Sequence, residues 1–405
     1  MNRVVITGLG IISPIGNTAH EIWQSLIHNT SGIAPVPEWE QVKDLKVRLA
    51  GSCKDYNAKR ILRKDRRTMG PMTVMAGLCA LDALDQAGIS PELMRSKEAG
   101  ISIGSTTGSG NIIQQMFDDL KQTGGISRLE GTAFMKIMNH SVAANLAAML
   151  GTSGRVIAPC AACATSTQAI GMGFETIRNG LQKIMICGGA DELHLSTAGV
   201  FDVLNAASRQ TSPERTPRPF DRDRDGLVVA EGAGAVILED LDHALARNAN
   251  ILAEVIGFHT CCDGSHMTSP QDQGMLACMQ GAMASSGCRL EEIDYINAHA
   301  TGTLLGDAAE ARAIAMLGTH NIPVSATKGF TGHTLAASGV MEAIFCLKMM
   351  EHNTLIPTKN LATVAPECEG ITHILAPLEK EVNVIMTSNF AFGGINATLI
   401  LKRYS

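Results

Sequence analysis

Short apolar runs alternate along the chain with longer stretches of helical period. The segments 3–12 (RVVITGLGII), 99–105, 183–189 and 233–239 carry almost no polar residues, and they read as strands buried on both faces. Between them, 71–88 and 136–151 place Ala, Leu and Met at helical spacing. Strands alternating with helices predict an α/β fold. The later part of the chain repeats the scheme. Segment 251–260 resembles the first strand and 293–302 the second, while 393–401 shares with 231–239 a Gly, two residues, an Ala and an aliphatic run. Two related halves follow, 1–246 and 247–405, joined near 243–250. Segments 30–60, 208–226 and 261–274 are rich in Pro, charge or turn formers and read as long loops, where function tends to gather.

Composition narrows the class. Hydrophobic residues make up 45% of 405 and aromatics only 4%, with 40 glycines, so the core is built of small aliphatic side chains in close contact. The net charge of -6 argues against a nucleic-acid partner. No apolar run reaches the roughly 18 residues of a membrane span, and MNRVVITGLG lacks the form of a signal peptide. A cytoplasmic protein is expected. Many of the 11 cysteines, such as Cys79, Cys187 and Cys346, have apolar neighbours and read as buried thiols rather than bridges.

The stretch PCAACATSTQAIG (159–171) holds Cys160 and Cys163. A redox or zinc pair would want a second CxxC or a spaced pair of histidines, and the chain has neither. His194 reads as a surface or capping residue. The run before Cys163 looks like a strand and the run after it like a helix. A sulfur at that junction lies near free backbone N–H groups, which favour a thiolate and can receive a developing oxyanion. Ala162 and Ala164 leave room beside it, while Cys160 is expected to pack. On position alone an inert buried thiol remains open. Two further segments, NAHATGT (297–303) and KGFTGHTLAASG (328–339), set His299 and His333 at the ends of strand-like units, where α/β proteins collect catalytic groups.

Ala-Cys-Ala at 162–164, NAHATGT, KGFTGHTLAASG and NFAFGGINA (389–397) together resemble the β-ketoacyl-[acyl-carrier-protein] synthases of the Cys-His-His type. The resemblance runs from VVITGLGIISPIG to FGGINATLIL. It implies a thiolase-like fold, two similar α/β halves in a five-layered αβαβα core, and a decarboxylative condensation of malonyl and acyl units. Cys163 would carry the acyl chain, His299 and His333 would handle the malonyl group, and Lys328 would support a histidine. Thr301 and Thr303 would hold the phosphopantetheine arm, with Thr268 a further substrate contact. Phe392 would gate the site and complete an oxyanion hole, and Thr107 would set acyl-pocket depth. No cofactor is implied beyond the phosphopantetheine of the carrier protein, and no catalytic metal. Asn297, Glu342, Ser388 and Asn389 match a family site for a buried monovalent cation.

KRILRKDRR (59–67) supplies Lys59, Arg60, Arg63, Lys64, Arg66 and Arg67, the family's region for docking an acidic carrier. A dimer, with a copy or a related subunit, is also implied. His-Ala-Thr-Gly-Thr and Ala391 depart from the family's usual His-Gly-Thr-Ser-Thr and Gly, which suggests a specialised synthase for polyketide or aryl-polyene chains. Two rivals are a thiolase acting on coenzyme A esters and a chain-length subunit without catalysis. The first needs a second cysteine near the C-terminus, and none follows Cys368; the second would have lost the nucleophile.

Overall fold

The computed structural model describes residues 1–318 and 321–405. Among the described residues, the large sheet takes five strands from the first half: β1 (Val4–Ile12), β2 (Ala99–Gly104), β3 (Val156–Ile157), β4 (Ile184–Asp191) and β5 (Gly232–Asp240). Six come from the second: β6 (Ala253–Cys262), β7 (Tyr295–Asn297), β8 (Pro323–Ser325), β9 (Thr372–His373), β10 (Val384–Ala391) and β11 (Ile395–Lys402). They join in the order β9-β8-β7-β10-β11-β6-β1-β5-β4-β2-β3. Reading outward from the centre, both halves show the same sequence of directions. β1 pairs antiparallel with β5, β5 antiparallel with β4, and β4 parallel with β2. β6 pairs antiparallel with β11, β11 antiparallel with β10, and β10 parallel with β7. The repeat visible in the sequence is thus a repeat of topology. The halves meet where β1 and β6 pair antiparallel, Val4 opposite Val255.

Helices cover both faces, which is why β1, β2, β4 and β5 are buried at every position. Helix α1 (Pro71–Ala87) starts on a proline at its first position and ends at Gly88, whose φ of 65 is left-handed, the arrangement favoured at the two ends of a helix. It lies flush on β1, where a Cβ at Gly10 would come within 2.0 Å of the Cys79 carbonyl. Helix α2 (Ser141–Leu150) packs on α1 and β2. Helices α3 (Thr165–Arg178) and α6 (Ser338–His352) fill the middle and touch strands of both halves. Residues 338–350 of α6 are all buried, as a helix enclosed on every side must be. Helices α4 (Asp272–Ser286) and α5 (Leu304–Met316) cover the second half. The order of layers is α1/α2, first half-sheet, α3/α6, second half-sheet, α4/α5, the five-layered thiolase-like arrangement.

Three expected elements differ. The 293–302 segment is a strand only over Tyr295–Asn297, because from Ala298 onward the backbone turns away to present His299. The 136–151 helix is two helices, Ala133–Ile137 and α2, broken where Met138 is extended and weak helix formers Asn139 and His140 follow. The run before Cys163 is a strand over Val156–Ile157 alone.

Candidate active site

Cys163 sits in a one-turn 3-10 segment, Ala162–Ala164, that opens directly into α3. Ala162 takes φ +45, a left-handed conformation that costs an alanine about 1–2 kcal/mol. That bend, fixed by the Ala161 N–H donating to Thr165 Oγ1 at 2.8 Å, turns the sulfur toward the second half. The backbone N–H groups of Cys163 and Phe392 both point at Sγ. Phe392 follows the last residue of β10 in the tight hairpin to β11, whose Gly393 and Gly394 have φ of 86 and 71.

His333 is pinned by its own backbone: its N–H donates to Val228 O at 2.7 Å and its carbonyl accepts from Ala230 N–H at 2.9 Å. Its Nε2 lies 2.9 Å from Cys163 Sγ and its Nδ1 3.0 Å from Ser338 Oγ, the first residue of α6. The His299 ring meets the His333 ring edge-on at 5.2 Å. Ligand atoms of Cys163, His299 and His333 all lie within 4.8 Å of one another.

The state of His299 follows from its neighbours. Its Nδ1 faces two donors, Lys328 Nζ at 3.1 Å and Asn389 Nδ2 at 3.0 Å. Nδ1 must therefore accept, which puts the ring proton on Nε2, toward the sulfur side. Lys328 also pairs with Glu342, and Asn389 Nδ2 donates to Glu342 Oε2 at 2.7 Å. Burial pushes Glu342 up, against the pull of Lys328. Burial, and then the Lys328 cation, hold both imidazoles well below their usual range, so both rings are neutral at neutral pH. The sulfur departs from expectation. Burial pushes the Cys163 thiol up to about 12, and Lys328 with the two N–H groups only partly offsets it. The resting pair is a thiol beside a neutral imidazole, because desolvation outweighs the helix N-terminus.

A cavity of about 370 Å³ leads to this cluster. Thr268, Thr301, Thr303 and Phe392 line it; Thr301 and Thr303 hydroxyls are 3.1 Å apart, and the Phe392 ring, 40% exposed, packs on Phe201. Thr107 stands exposed on the loop after β2 and is not among the residues that line this cavity in the single chain. Cys160 does not pack either, but is exposed with Sγ donating to Thr106 O at 3.2 Å. His194 caps its helix as expected, accepting from Ser196 N–H.

The four residues matched to a cation site are all buried, but the side-chain oxygens of three are spoken for, and the Asn297 oxygen faces the Tyr295 hydroxyl at 3.5 Å. Glu342 is bonded by Lys328 and Asn389, Ser388 by Thr398 at 2.9 Å, and the Asn389 oxygen by Thr167. They do not form a free oxygen cage for a monovalent ion, and no step is assigned to one. Of the basic run, Arg60 is committed to Asp82 at 2.5 Å and Arg66 Nε to Ile61 O at 3.1 Å, while Lys59, Arg63, Lys64 and Arg67 are exposed.

Two buried carboxyl groups escaped the sequence reading. Glu310, one turn and a half into α5, accepts the His299 N–H at 2.7 Å and the Ala300 N–H; Asp307 accepts from Thr301, Gly302 and Phe220 N–H. Together they shape the loop that carries His299 and the two threonines. Their signal was an Asp and a Glu three apart on an otherwise Ala-rich helix, GDAAEARAI. Burial pushes Glu310 up to about 8. A carboxyl raised in the folded state contributes stability that is whole below its unfolded value and is lost as pH climbs through the folded one. Glu310→Gln is accordingly expected to remove a downward slope of up to about 1.4 kcal/mol per pH unit between about 4.5 and 8. Denaturant midpoints of both proteins across that range check it; parallel curves would count against it.

A thiol, two neutral imidazoles and paired N–H donors at the seam of a thiolase-like fold define an acyl-transferring condensing enzyme. Comparison with known proteins gives the same class. Residues 1–244 match the model of the β-ketoacyl synthase N-terminal domain and 252–362 that of its C-terminal domain, so the chain belongs to the β-ketoacyl synthase family. It is 38% identical to 3-oxoacyl-[acyl-carrier-protein] synthase 1 of Haemophilus influenzae, with 100% of both chains covered. The crystal structure of a β-ketoacyl synthase from Burkholderia phymatum matches with a TM-score of 0.96 at 37% identity, again over 100% of both chains. A type II PKS ketosynthase in complex with its acyl-carrier protein matches at 0.91 and 26% identity, covering 100% of each. No helix among the described residues is long and apolar enough to cross a membrane.

Proposed function

We infer that the chain is a cytoplasmic 3-oxoacyl-[acyl-carrier-protein] synthase in which Cys163, His299, His333 and Lys328 carry the reaction. The observation behind this reading is the 2.9 Å contact between Cys163 Sγ and His333 Nε2, beside an imidazole whose Nδ1 is saturated by Lys328 and Asn389.

In the first half-reaction the thiol proton passes from Sγ to His333 Nε2 as sulfur attacks the acyl thioester. The acyl oxygen turns into the N–H groups of Cys163 and Phe392. The carrier's thiolate leaves and takes the proton from His333. Generating the nucleophile only at attack suits a sulfur that burial keeps protonated. In the second half-reaction malonyl carrier loses carbon dioxide, and the enolate oxygen is held by His299 Nε2–H. Ser338 Oγ can accept from His333 Nδ1 or donate to it, so it lets this ring serve as base first and as an Nε2–H donor later. The enolate carbon attacks the acyl-Cys163 carbonyl, the carbon–sulfur bond breaks to release the β-keto product, and the departing Cys163 sulfur takes up one solvent proton through His333 to restore the thiol. Thr301, Thr303 and Thr268 hold the phosphopantetheine arm along the cavity, and Phe392 closes over it.

Intact mass of the enzyme after incubation with a panel of acyl carrier proteins tests this reading: an adduct of acyl mass on Cys163 is expected. Acylation by free coenzyme A esters alone, with none from a carrier, would favour the thiolase reading.

The carrier docks on the exposed cations Lys59, Arg63, Lys64 and Arg67. Reversing two of them, Arg63→Glu with Arg67→Glu, should raise KM for the carrier by about tenfold, or 1.4 kcal/mol, and leave a small acyl thioester unaffected. An unchanged KM would remove the patch from the docking surface. A second copy of the chain or a related subunit pairs against the first half. Supporting this, β3 is an edge strand with Val156 44% exposed, and Phe134 (66%) and Met135 (45%) stand uncovered nearby in the chain.

A further inference from the structure

Behind the cavity wall at Asn396, strand β6 and helix α4 touch closely. Both carry glycine where they face each other: a Cβ at Gly257 would fall 2.6 Å from Ala282 O, and one at Gly281 2.4 Å from the His259 ring. This contact brings Cys261, in the last turn of the strand's run, against Cys278 of the helix. Each thiol is tied to the other's element. Cys261 Sγ is 3.5 Å from Gly274 O, and Cys278 Sγ is 3.4 Å from His259 O. Gly274 lies about one turn before Cys278 on the helix and His259 two residues before Cys261 on the strand, so the two side chains share one gap between strand and helix. Cys278 is fully buried, with the Cys261 N–H and the Thr398 hydroxyl at its sulfur; Cys261 is half-buried, beside the Asn396 amide.

The neighbourhoods of the other cysteines differ. Burial pushes Cys53, Cys79, Cys163, Cys187 and Cys346 up, while the Cys278 thiol draws Cys261 down to about 7. A partly exposed thiolate with a second thiol at hand is the arrangement that peroxides oxidise and a neighbour resolves.

We propose that Cys261 and Cys278 form a peroxide-sensitive dithiol that closes to an intramolecular disulfide before the nucleophile Cys163 is oxidised. Cys261 sulfur takes the terminal oxygen of hydrogen peroxide or an organic hydroperoxide; the O–O bond breaks and water or an alcohol leaves. Cys278 sulfur then attacks the Cys261 sulfenic acid. The S–S bond forms, the S–O bond breaks, and water leaves with the Cys278 proton. The dithiol has given two electrons to the peroxide. The change is felt at the cavity wall, because Asn396 Nδ2 donates to Asp263 at 2.5 Å and Asp263 N–H donates to Gly394 O at 2.8 Å, in the Phe392 hairpin.

The test treats the reduced full chain with hydrogen peroxide at roughly one to ten equivalents, then unfolds it in denaturant with iodoacetamide to block every remaining thiol, and maps peptides. A linked peptide joining Cys261 to Cys278 is expected, with a loss of two hydrogens that dithiothreitol reverses and with most Cys163 still alkylated. In Cys278→Ser, Cys261 should stop at a sulfenic acid that dimedone traps. First oxidation at Cys163, Cys160 or Cys262, or recovery of both Cys261 and Cys278 fully alkylated across the range, would overturn the proposal.

Discussion

Cys163→Ala is expected to abolish acyl-enzyme formation and to lower condensation by at least about 10⁴-fold, the scale seen when a covalent nucleophile is removed. The reason is specific to this site. Cys163 lines the cavity, and the oxyanion donors are arranged around its Sγ: its own N–H and that of Phe392. Without the sulfur those donors have nothing to deliver an acyl group to. The fold should survive. The side chain is small, Ala already stands at 162 and 164, and the polar groups it leaves, His333 Nε2 and the N–H groups of residues 163 and 392, lie at a cavity that water can enter. The check is paired: intact mass with an acyl carrier, and product formation with malonyl carrier present. Retained condensation in a correctly folded Cys163→Ala protein would take the nucleophile away from this residue altogether.

The parts of the molecule that could be read from sequence are those where one local rule governs. Strands β1, β2, β4 and β5 were legible because burial on both faces leaves mostly apolar and small residues, with charge only at the last positions of β4 and β5. The repeat was legible because corresponding strands keep the same Gly and aliphatic pattern. Cys163, His299 and His333 were legible because each falls where a strand-like run stops at small residues, and the four motifs occur in one order. What escaped depends on contacts between distant segments. Glu310 and Asp307 look like ordinary helix charges until the loop after β7 folds over them. Cys261 and Cys278 are 17 apart on different elements, and no spacing marks them, whereas the CxxC that does catch the eye places Cys160 and Cys163 against different partners. The thiol's protonation was misjudged for a related reason. The helix N-terminus is visible in sequence, but the desolvation that outweighs it is a property of the whole seam between the halves. Ala391 ends β10 paired to Ile395, so the turn's freedom lies in Gly393 and Gly394 rather than at that position.

His299→Ala is expected to separate the two halves of the reaction. Acyl transfer to Cys163 should stay within a few-fold of wild type, since it is His333 that contacts the sulfur. Condensation should fall by about 10²–10³, roughly 3–4 kcal/mol, the usual cost of removing one donor from a developing oxyanion. Release of carbon dioxide from malonyl carrier should fall in parallel, because the enolate loses the N–H that Lys328 and Asn389 fix on Nε2. The surroundings are built to survive the change: Lys328 keeps Glu342, Asn389 keeps both Glu342 and Thr167, and the loop keeps its bond from residue 299 N–H to Glu310, a backbone donor that alanine retains. His333→Ala, by contrast, should damage both halves, as the ring that takes the thiol proton is also the second donor. Rapid quench of the acyl-enzyme, together with product and carbon dioxide measured on the same samples, distinguishes the two variants. If His299→Ala lost acyl transfer while pre-acylated enzyme still condensed, the roles of the two imidazoles would have to be exchanged, and the saturated Nδ1 of His299 could no longer be the feature that directs the chemistry.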